Sequence, residues 1–350
     1  MALTYRYPSL TTRQEIIFTS LLKQYVRSAY PISSRHLANQ LKFQLSPATI
    51  RNELSELEDL GLLEQPHVSA GRVPSELGYG FYVDSLMKTF RLSKQEKEAI
   101  INVLHDSFTG NIREMLERIS VALSRVTALI SIVLSPKFSE EILHKIDLIS
   151  IASGRILVVL TLRMGNVKSI ILEVDSSIQE PEVQCATQFL NERLSGLKLP
   201  QVRSKIREML KGAESTVHPG LIKLVIDYAD DLFDQPRVEV YIGETRHVMA
   251  QPEFSDLNRM REFFDLIENK EGVVELLSYG EHQPAQGVRI AIGQELPRER
   301  LHDCSMVTAS YSVGEMEGYV AVIGPTRMPY DWVASLAKFT ADGIRSKMVD

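Results

Sequence analysis

Residues 46–60 carry side chains suited to reading the edges of nucleic-acid bases. At about 100° per residue, Ala48, Asn52 and Ser55 fall on one side of a helix, and the flanks of that side carry Thr49, Arg51 and Glu56. An Asn amide can bond an adenine edge, an Arg guanidinium a guanine edge, and an Ala methyl can touch a thymine methyl. Ser46, at the start of the segment, joins this candidate set. The same pattern also fits an ordinary surface helix whose polar face meets only water, and the pattern alone leaves both interpretations open.

Two further helices are predicted before this one. Thr12 followed by Glu15 indicates a capping box at the start of the first helix. Apolar residues then recur at a spacing of four, which is typical of a helix with one buried side: Ile17, Leu21 and Tyr25. The pair Tyr30-Pro31 ends this helix, because a proline disfavours helical geometry in the residue before it.

The second and third helices complete a helix-turn-helix pattern. Ser33 or Ser34 is expected to cap a short second helix. Ser46-Pro47 indicates the N-cap and first-turn proline of the third helix, and Gly61 ends it. The apolar residues of the third helix lie opposite its polar face and are expected in the core: Ile50, Leu54 and Leu57.

A β-hairpin directly after the third helix is expected to form a wing. Residues 62–65 form the first strand and Val73-Pro74 the returning one, with Gly71 permitting a positive φ at the turn. The wing tip offers His67, Ser69 and Arg72 to a phosphate backbone or a minor groove. Three residues at the start of the second helix are further candidates for backbone contacts: Ser33, Ser34 and Arg35. For His67 the alternative is a loop histidine with a structural hydrogen bond. It has no His or Cys neighbour, so no metal site is expected.

Charge is distributed unevenly along the chain. The 350 residues carry a net charge of −6, which excludes a uniformly basic nucleic-acid-binding surface. Residues 1–52 nevertheless contain seven Lys or Arg residues and one acid, Glu15, whereas residues 53–64 contain five acids and no base. The division suggests a small domain with one phosphate-binding side. A chance cluster on solvated helices is the alternative.

Two blocks of sequence resemble the HrcA family of bacterial heat-inducible transcription repressors. The first comprises residues 46–54 and 57–61, with the wing segment 66–74 and the motif 78–84 after it. The second comprises residues 303–311 and 324–330. Both occur in the family's order and at its chain length, so the resemblance covers essentially the whole chain and is weakest between about residues 175 and 235.

Two positions depart from the family's pattern. Val68 stands where the family usually has Thr, which removes a hydroxyl donor from the wing. Gly80 stands where Arg is usual, which removes a candidate phosphate contact and weakens its helix by up to about 1 kcal/mol.

The resemblance implies an α+β protein with an N-terminal winged helix-turn-helix. A GAF-like domain follows, interrupted by an inserted dimerisation domain. The approximate limits are 1–90 for the winged helix, 91–178 and 236–350 for the GAF-like domain, and 179–235 for the insertion. Composition does not locate the insertion. The limits rest on the helical, poorly matching stretch 181–233.

The resemblance also implies a function and partners. The protein is expected to be a cytoplasmic homodimer that represses chaperone operons in the heat-shock response. Its operator would be a double-stranded inverted repeat of the CIRCE type, and the GroE chaperonin would keep the repressor active. No cofactor is expected. The alternative is a transcription regulator whose GAF-like domain responds to a small molecule, and an enzyme with a DNA-binding head is a third class.

The sequence gives little support for an enzyme or for a membrane segment. The sequence contains no Walker A loop, GxGxxG, GxSxG or HExxH motif, so no catalytic residue is assigned. Cys304, beside His302 and Asp303, suggests either a nucleophile or, more simply, a buried structural cysteine. The turn 324–327 suggests an anion site or, equally, an Arg327 or Thr326 held in a structural hydrogen bond.

Residues 1–13 lack the apolar segment of a signal peptide, and the longest apolar run, 156–160, is too short to span a bilayer.

The remaining chain is predicted to alternate helices and strands. A helical stripe is expected around 112–123, an amphipathic helix at 256–264 with Leu257, Met260 and Phe264 toward the core, and a last helix at 330–345. Strands are expected at these positions: 146–151, 156–162, 169–174, 238–242, 287–292, 305–311 and 318–323.

Overall fold

The computed structural model of the chain contains two compact units. The first comprises Met1–Ser135, Glu239–Val313 and Glu317–Asp350, and the second, the inserted unit, comprises Pro136–Val238 with Gly314–Met316. The structure describes these residues: 7–41, 45–67, 70–106, 112–136, 142–152, 154–163, 167–175, 177–212, 217–234, 238–246, 248–254, 257–278, 287–313 and 316–349.

The amino-terminal part of the first unit, residues 7–86, is called the head. It contains these elements in order: α1 (Thr12–Ser28), α2 (Ser34–Gln40), α3 (Pro47–Asp59), β1 (Leu63–Glu64), β2 (Val73–Pro74) and α4 (Glu76–Phe81), which continues as a π-helical turn (Tyr82–Leu86). β1 and β2 pair antiparallel, with Leu63 opposite Pro74 and Glu64 opposite Val73. Three helices followed by a hairpin form a winged helix, as the sequence predicts.

The helix caps differ from the predictions in two details. Thr11, one residue before the predicted Thr12, caps α1, and its box partner is Gln14 rather than Glu15. Thr11 is extended, and the Gln14 amide oxygen accepts from its backbone N–H at 3.0 Å, so glutamine closes the box as well as glutamate would. Of the two predicted candidates for the cap of α2, the structure has Ser33, which confirms that prediction.

The predicted limits of α3 are confirmed. Ser46 is its N-cap, with Pro47 in the first turn. The helix ends at Asp59, and Gly61 follows with a φ of +74°, the left-handed conformation that favours glycine. The head core is apolar and includes these buried side chains: Ile17, Phe18, Leu21, Leu37, Ile50, Leu54, Leu57, Leu62 and Leu63.

The rest of the first unit, called the body, is built on a five-stranded sheet with the order β7-β3-β10-β9-β8. The strands are β3 (Ile130–Leu134), β7 (Val240–Ile242), β8 (Val288–Ile292), β9 (Cys304–Val313) and β10 (Met316–Pro325). The helices are α5 (Lys94–Asp106), α6 (Ile112–Thr127), α11 (Leu257–Glu268), α12 (Lys270–Ser278) and α13 (Tyr330–Val349). This α+β arrangement is consistent with the GAF-like expectation.

Two body elements depart from the sequence predictions. β3 was not among the predicted strands. All five of its residues are buried, and a short continuous apolar run cannot be distinguished from a helix end by its periodicity. In α11, Phe263 and Ile267 are buried, whereas Met260 and Phe264, two of the residues predicted toward the core, are only half-buried. The side chain of the third, Leu257, lies outside the described ones.

The described part of the inserted unit contains a three-stranded sheet and four α-helices. The strands β4 (Leu143–Ala152), β5 (Arg155–Leu162) and β6 (Val167–Glu173) pair antiparallel in that order. The helices are α7 (Glu180–Leu194), α8 (Leu199–Met209), α9 (Pro219–Asp227) and α10 (Ala229–Leu232). One face of the sheet shares an apolar core with these helices, through residues such as Ile146, Val158, Leu190 and Val225.

The start of the inserted unit therefore differs from the predicted position 179. The compact unit begins at Pro136, and the three strands that the prediction placed in the GAF-like domain belong to it. The reason is tertiary: these strands form a sheet separate from that of the body and bury their apolar face against α7 to α10. Within the described part of the chain, no helix has both the length and the apolar character that a membrane crossing requires.

Candidate nucleic-acid interface

The polar face predicted for residues 46–60 is exposed on α3. Ala48, Arg51, Asn52 and Ser55 are exposed, and Thr49 is half-buried. The opposite face, with Ile50, Leu54 and Leu57, is buried in the head core. Core packing therefore sets the rotation of α3 about its axis and turns the candidate base-reading side chains outward.

Arg51 and Asn52 are the two long polar side chains of this face, and both remain free to bind. Neither side chain forms an ion pair or a hydrogen bond with another residue in the described part of the chain. Ser46 and Thr49 are used locally instead. The Ser46 hydroxyl accepts a hydrogen bond from the Thr49 N–H at 3.1 Å and lies 3.0 Å from the Thr49 hydroxyl, so both start the helix.

Three acidic side chains of α3 are held by partners within the head. Arg13 donates to Glu53 at 2.7 Å, and Gln14 donates to Glu56 at 2.8 Å. Glu58 accepts from Arg72 at 2.7 and 2.8 Å. The two ion pairs compensate the charges of Glu53 and Glu58, which would otherwise repel a phosphate backbone. The neutral amide of Gln14 orients Glu56 without removing its charge. Arg51 supplies the positive charge of the exposed face. Arg13 and Gln14 were not among the predicted functional residues. The signal that could have indicated them is the pair of acids at positions 53 and 56, which need partners.

The wing is anchored to the chain segment before α2. Ile32 and Arg72 exchange both backbone hydrogen bonds at 2.9 Å. A Cβ on Gly71 would lie 2.4 Å from the Ile32 carbonyl carbon and oxygen. Glycine is needed there because two backbones approach closely. Gly71 is not among the glycines with a positive φ, so the predicted reason was wrong.

Arg72 occupies a different place from the one predicted. Its guanidinium is bound to Glu58 of α3, and the side chain is 19% exposed. The backbone pairing with Ile32 sets Arg72 beside the last turn of α3, where the carboxylate is within reach. Arg72 thus braces the wing against α3 and is not a free phosphate ligand in this structure.

The other candidates for backbone contacts lie at two places on the head surface. His67 is exposed in the wing. Ser69, and Val68, which differs from the family pattern, lie outside the described residues. At the start of α2, the Ser33 hydroxyl accepts from the His36 N–H at 3.2 Å, and Ser34 is half-buried. Arg35 is exposed and pairs with no acid of the described chain.

Gly80, the second departure from the family pattern, lies in α4 near the amino-terminal segment. A Cβ there would be 3.0 Å from the Tyr7 hydroxyl, which itself donates to Asp84 at 2.8 Å. The position is therefore packed against Tyr7 in this chain.

Cys304 and the turn 324–327, the two other candidate sites in the sequence, both have structural roles. Cys304 is buried in β9, and burial raises the pKa of its thiol to about 12, with a further rise from Asp303 and Glu253. A thiol with that pKa is not an activated nucleophile. Arg327 is bonded to Glu253, Gln251 and the Val26 carbonyl, so the turn 324–327 uses its cation within the fold.

Two family models match the chain. The family model described as "Winged helix-turn-helix transcription repressor, HrcA DNA-binding" matches residues 9–80. The model described as "HrcA protein C terminal domain" matches residues 113–334. The first match spans the head elements from before α1 to α4, and the second spans most of the body and the inserted unit.

Relatives match over almost the full length. The heat-inducible transcription repressor HrcA of Natranaerobius thermophilus is 36% identical over 329 residues, which cover 94% of each chain. That of Chlorobium phaeobacteroides is 35% identical over 344 residues, which cover 95% of this chain and 96% of the relative. A crystal structure of a hypothetical protein at 2.2 Å superposes with a TM-score of 0.63 at 18% identity over 97% of this chain and 99% of the other, which shows a shared fold. The chain therefore belongs to the HrcA family of heat-inducible transcription repressors.

Proposed function

We propose that the protein represses chaperone operons by binding an inverted-repeat operator of the CIRCE type as a homodimer. The observation that carries this proposal is the exposed face of α3. Arg51 and Asn52 have no partner there among the described residues, while three acids of the same helix have partners within the head: Glu53, Glu56 and Glu58. A helix of this kind fits the major groove, and two copies related by two-fold symmetry would read two half-sites.

The proposed division of contacts follows from the exposure of the described side chains and, for Ser69, from its place in the wing sequence. On α3, Ala48, Thr49, Arg51, Asn52 and Ser55 would face base edges, with Ser46 fixing the start of the helix. Backbone contacts would come from the start of α2 and from the wing: Ser33, Ser34, Arg35, His67 and Ser69. Arg72 would act by holding the wing against α3.

The inserted unit offers a surface for the homodimer. The sheet face away from the helices carries large apolar side chains that are 45–63% exposed: Ile149, Ile151, Val167 and Ile171. Ile149, Leu157 and Ile171 lie side by side across the three strands. An apolar row on an otherwise solvent-facing sheet is typical of an interaction surface. A second copy would supply the same row, as a two-fold interface requires.

The operator experiment compares three duplexes. One carries the inverted repeat, one the same half-sites as a direct repeat, and one a random sequence, each titrated across a salt series. We expect the inverted repeat to bind at least tenfold more tightly than the direct repeat, because the two heads of a symmetric dimer face opposite strands. Equal binding to all three would overturn the proposed function.

The dependence on chaperonin rests on the family and has its own test. We propose that the GroE chaperonin raises the fraction of repressor able to bind its operator. Refolded protein would be titrated on the operator with chaperonin and ATP, with ATP alone, and with a chaperonin trapped without ATP. A rise in active fraction in the first sample alone is expected, and an equal active fraction in all three would contradict it.

A cavity gives one observation in favour of the alternative, a small-molecule-responsive regulator. It has a volume of about 480 Å³ and lies between α1 and the body, with Val26, Leu129 and Trp332 on its apolar walls and Lys23 and Arg27 along its lining. That volume falls in the range of ligand sites. Native mass spectrometry of the purified protein would reveal a retained molecule. We place this function second because the cationic side chains are exposed.

A further inference from the structure

The side chain of Arg327 joins the body to the first helix of the head. Arg327 follows β10, and its side chain is 10% exposed. Its Nη1 donates to the carbonyl oxygen of Val26 in α1 at 2.7 Å. Its Nε and Nη2 donate to the Glu253 carboxylate at 2.6 and 3.1 Å, and Nη2 also donates to Gln251 at 2.9 Å. One guanidinium thus holds three groups of the first unit.

The contact with Val26 lies at the carboxyl end of α1. The helix ends at Ser28, and Ala29 follows in the left-handed conformation. The last four carbonyls of a helix lack partners within it, and a positive charge there interacts favourably with the helix dipole. Arg327 supplies both a donor and a charge. Glu253 binds the same guanidinium in a bidentate manner, so the buried charge is compensated.

The other end of α1 holds the recognition helix. Arg13 and Gln14, in the first turn, donate to Glu53 and Glu56 of α3. Between the two ends, Ile17 and Leu21 are buried in the head core. A helix of 17 residues extends about 25 Å. It therefore links the body to α3 as one rigid element.

Other contacts between head and body lie along α4 and the turn after it. The Glu76 carboxylate accepts from the backbone N–H of Gln294 at 2.8 Å. The rings of Tyr79 and Tyr330 pack edge to face at 5.8 Å. Arg327 adds the contact at the end of α1, and its guanidinium is specific in direction because its donors are fixed in one plane.

From this geometry we propose that Arg327 is a positioning residue for operator recognition. By holding the end of α1, it fixes the orientation of α3 relative to the body, and so fixes the half-site spacing that a dimer accepts. The inference rests on the proposed binding of an inverted repeat. Arg327 touches no DNA in this proposal and acts through α1.

The test is the selectivity of the protein for half-site spacing. Operators would be made with the natural spacer and with spacers longer or shorter by one and two base pairs, which rotate one half-site about the duplex axis. The full-length protein would be compared with Arg327→Lys and Arg327→Gln. The spacing penalty is the factor by which an operator with an altered spacer binds more weakly than the natural one. For the unmodified protein we expect a spacing penalty of about tenfold or more, because half-site separation is set by dimer geometry.

The variants are expected to lose selectivity in a graded way. Arg327→Gln should bind the natural operator more weakly and show a spacing penalty of about twofold, since a head with a released α1 tolerates more than one separation. Arg327→Lys keeps a charge for Glu253 but lacks the planar set of donors, so it should fall between the two. Binding to random DNA should change little, because the exposed face of α3 is intact. If Arg327 only stabilised the fold, its variants would lower the active fraction of the protein without changing the ratio of affinities for operators of different spacer length.

Two controls complete the design. Arg298→Lys alters another body arginine, which donates to Glu275 at 2.6 Å, and should leave the spacing penalty unchanged. Glu253→Gln removes the counter-charge of Arg327 but keeps an acceptor, so it provides a second, milder variant if Arg327→Gln does not fold. A folded Arg327 or Glu253 variant that keeps the full spacing penalty would overturn the role of Arg327 alone. Failure of the unmodified protein to prefer any inverted repeat would overturn the proposed function as well.

Discussion

Arg72 in the wing and Glu58 in the recognition helix α3 form an ion pair, with Nη2 and Nε of the guanidinium 2.7 and 2.8 Å from the same carboxylate oxygen. The pair fastens the returning strand of the wing to the last full turn of α3. It also removes a negative charge from the surface that is proposed to face DNA. Several predictions about the head depend on which residues are bound in this way and which are free.

Arg72→Ala should weaken binding to operator and random DNA by a similar factor while leaving the salt dependence nearly unchanged. The reason is that the Arg72 charge is already used on Glu58. Arg35→Ala is the matched comparison, since Arg35 is exposed, and the loss of one phosphate contact should reduce the slope of log K against log salt by about 0.9. Titrations across a salt series measure both. An equal loss of slope in the two variants would mean that Arg72 leaves Glu58 for a phosphate when DNA binds.

Asn52→Ala should cost about 1–3 kcal/mol on the operator and little on random DNA, because an amide on the exposed face of α3 can read a base edge. Asn102→Ala, at an exposed position of α5 in the body, is the matched control and should change neither affinity. The measurement is binding to both duplexes, with circular dichroism to verify folding. Equal weakening on the two duplexes would show that Asn52 does not read sequence.

Gly71→Ala should destabilise the head by about 1–3 kcal/mol or more, because the new methyl group would overlap the Ile32 backbone and force a main-chain shift. Gly80→Ala is the comparison, since its methyl group would meet only the end of the Tyr7 side chain, and alanine is the better helix former. Urea unfolding of both variants tests the difference. Similar free energies of unfolding for the two variants would show that the backbone around Gly71 shifts at little cost.

Ile171→Lys should convert a dimer into a monomer while the inserted unit stays folded. Ile171 is 58% exposed on the apolar sheet face, so a lysine there costs the fold little but places a charge in the proposed interface. Ser204→Lys adds the same charge on exposed α8, in the same unit, and should leave the dimer intact. Light scattering at micromolar concentration distinguishes the outcomes. A dimer that survives Ile171→Lys would move the interface elsewhere.

The two cysteines should differ in reactivity. Cys185 is exposed, whereas Cys304 is buried and its pKa is raised to about 12 by burial, so its thiolate is scarce below that pH. A maleimide reagent at neutral pH should therefore label one thiol per native chain and two in denaturant, as mass spectrometry would show. The variant Cys185→Ser should remain unlabelled when native. Labelling of that native variant would contradict the burial of Cys304.

Local features of the head followed from sequence spacing. Ser46-Pro47 predicted the start of α3, Gly61 predicted its end, and the apolar positions Ile50, Leu54 and Leu57 predicted its buried side. These signals depend on residues within one or two helical turns of each other, so the local sequence is enough to predict them. The motifs in residues 46–74 and 303–330 also sufficed to identify the family, which the family models and relatives then showed.

Only the tertiary structure decided which partners distant residues take. The place of Arg72 in the wing predicts a phosphate contact, yet its partner is Glu58, which lies 14 residues away in sequence and 2.7 Å away in the fold. Strands 143–173 were assigned to the wrong side of a boundary, since strand periodicity indicates a buried face but not which sheet or helices cover it. Arg327 and Val26 are separated by most of the chain, and no local pattern predicts that they meet. Sequence spacing determined the helices and their faces, whereas long-range packing determined which charges remain available to bind DNA.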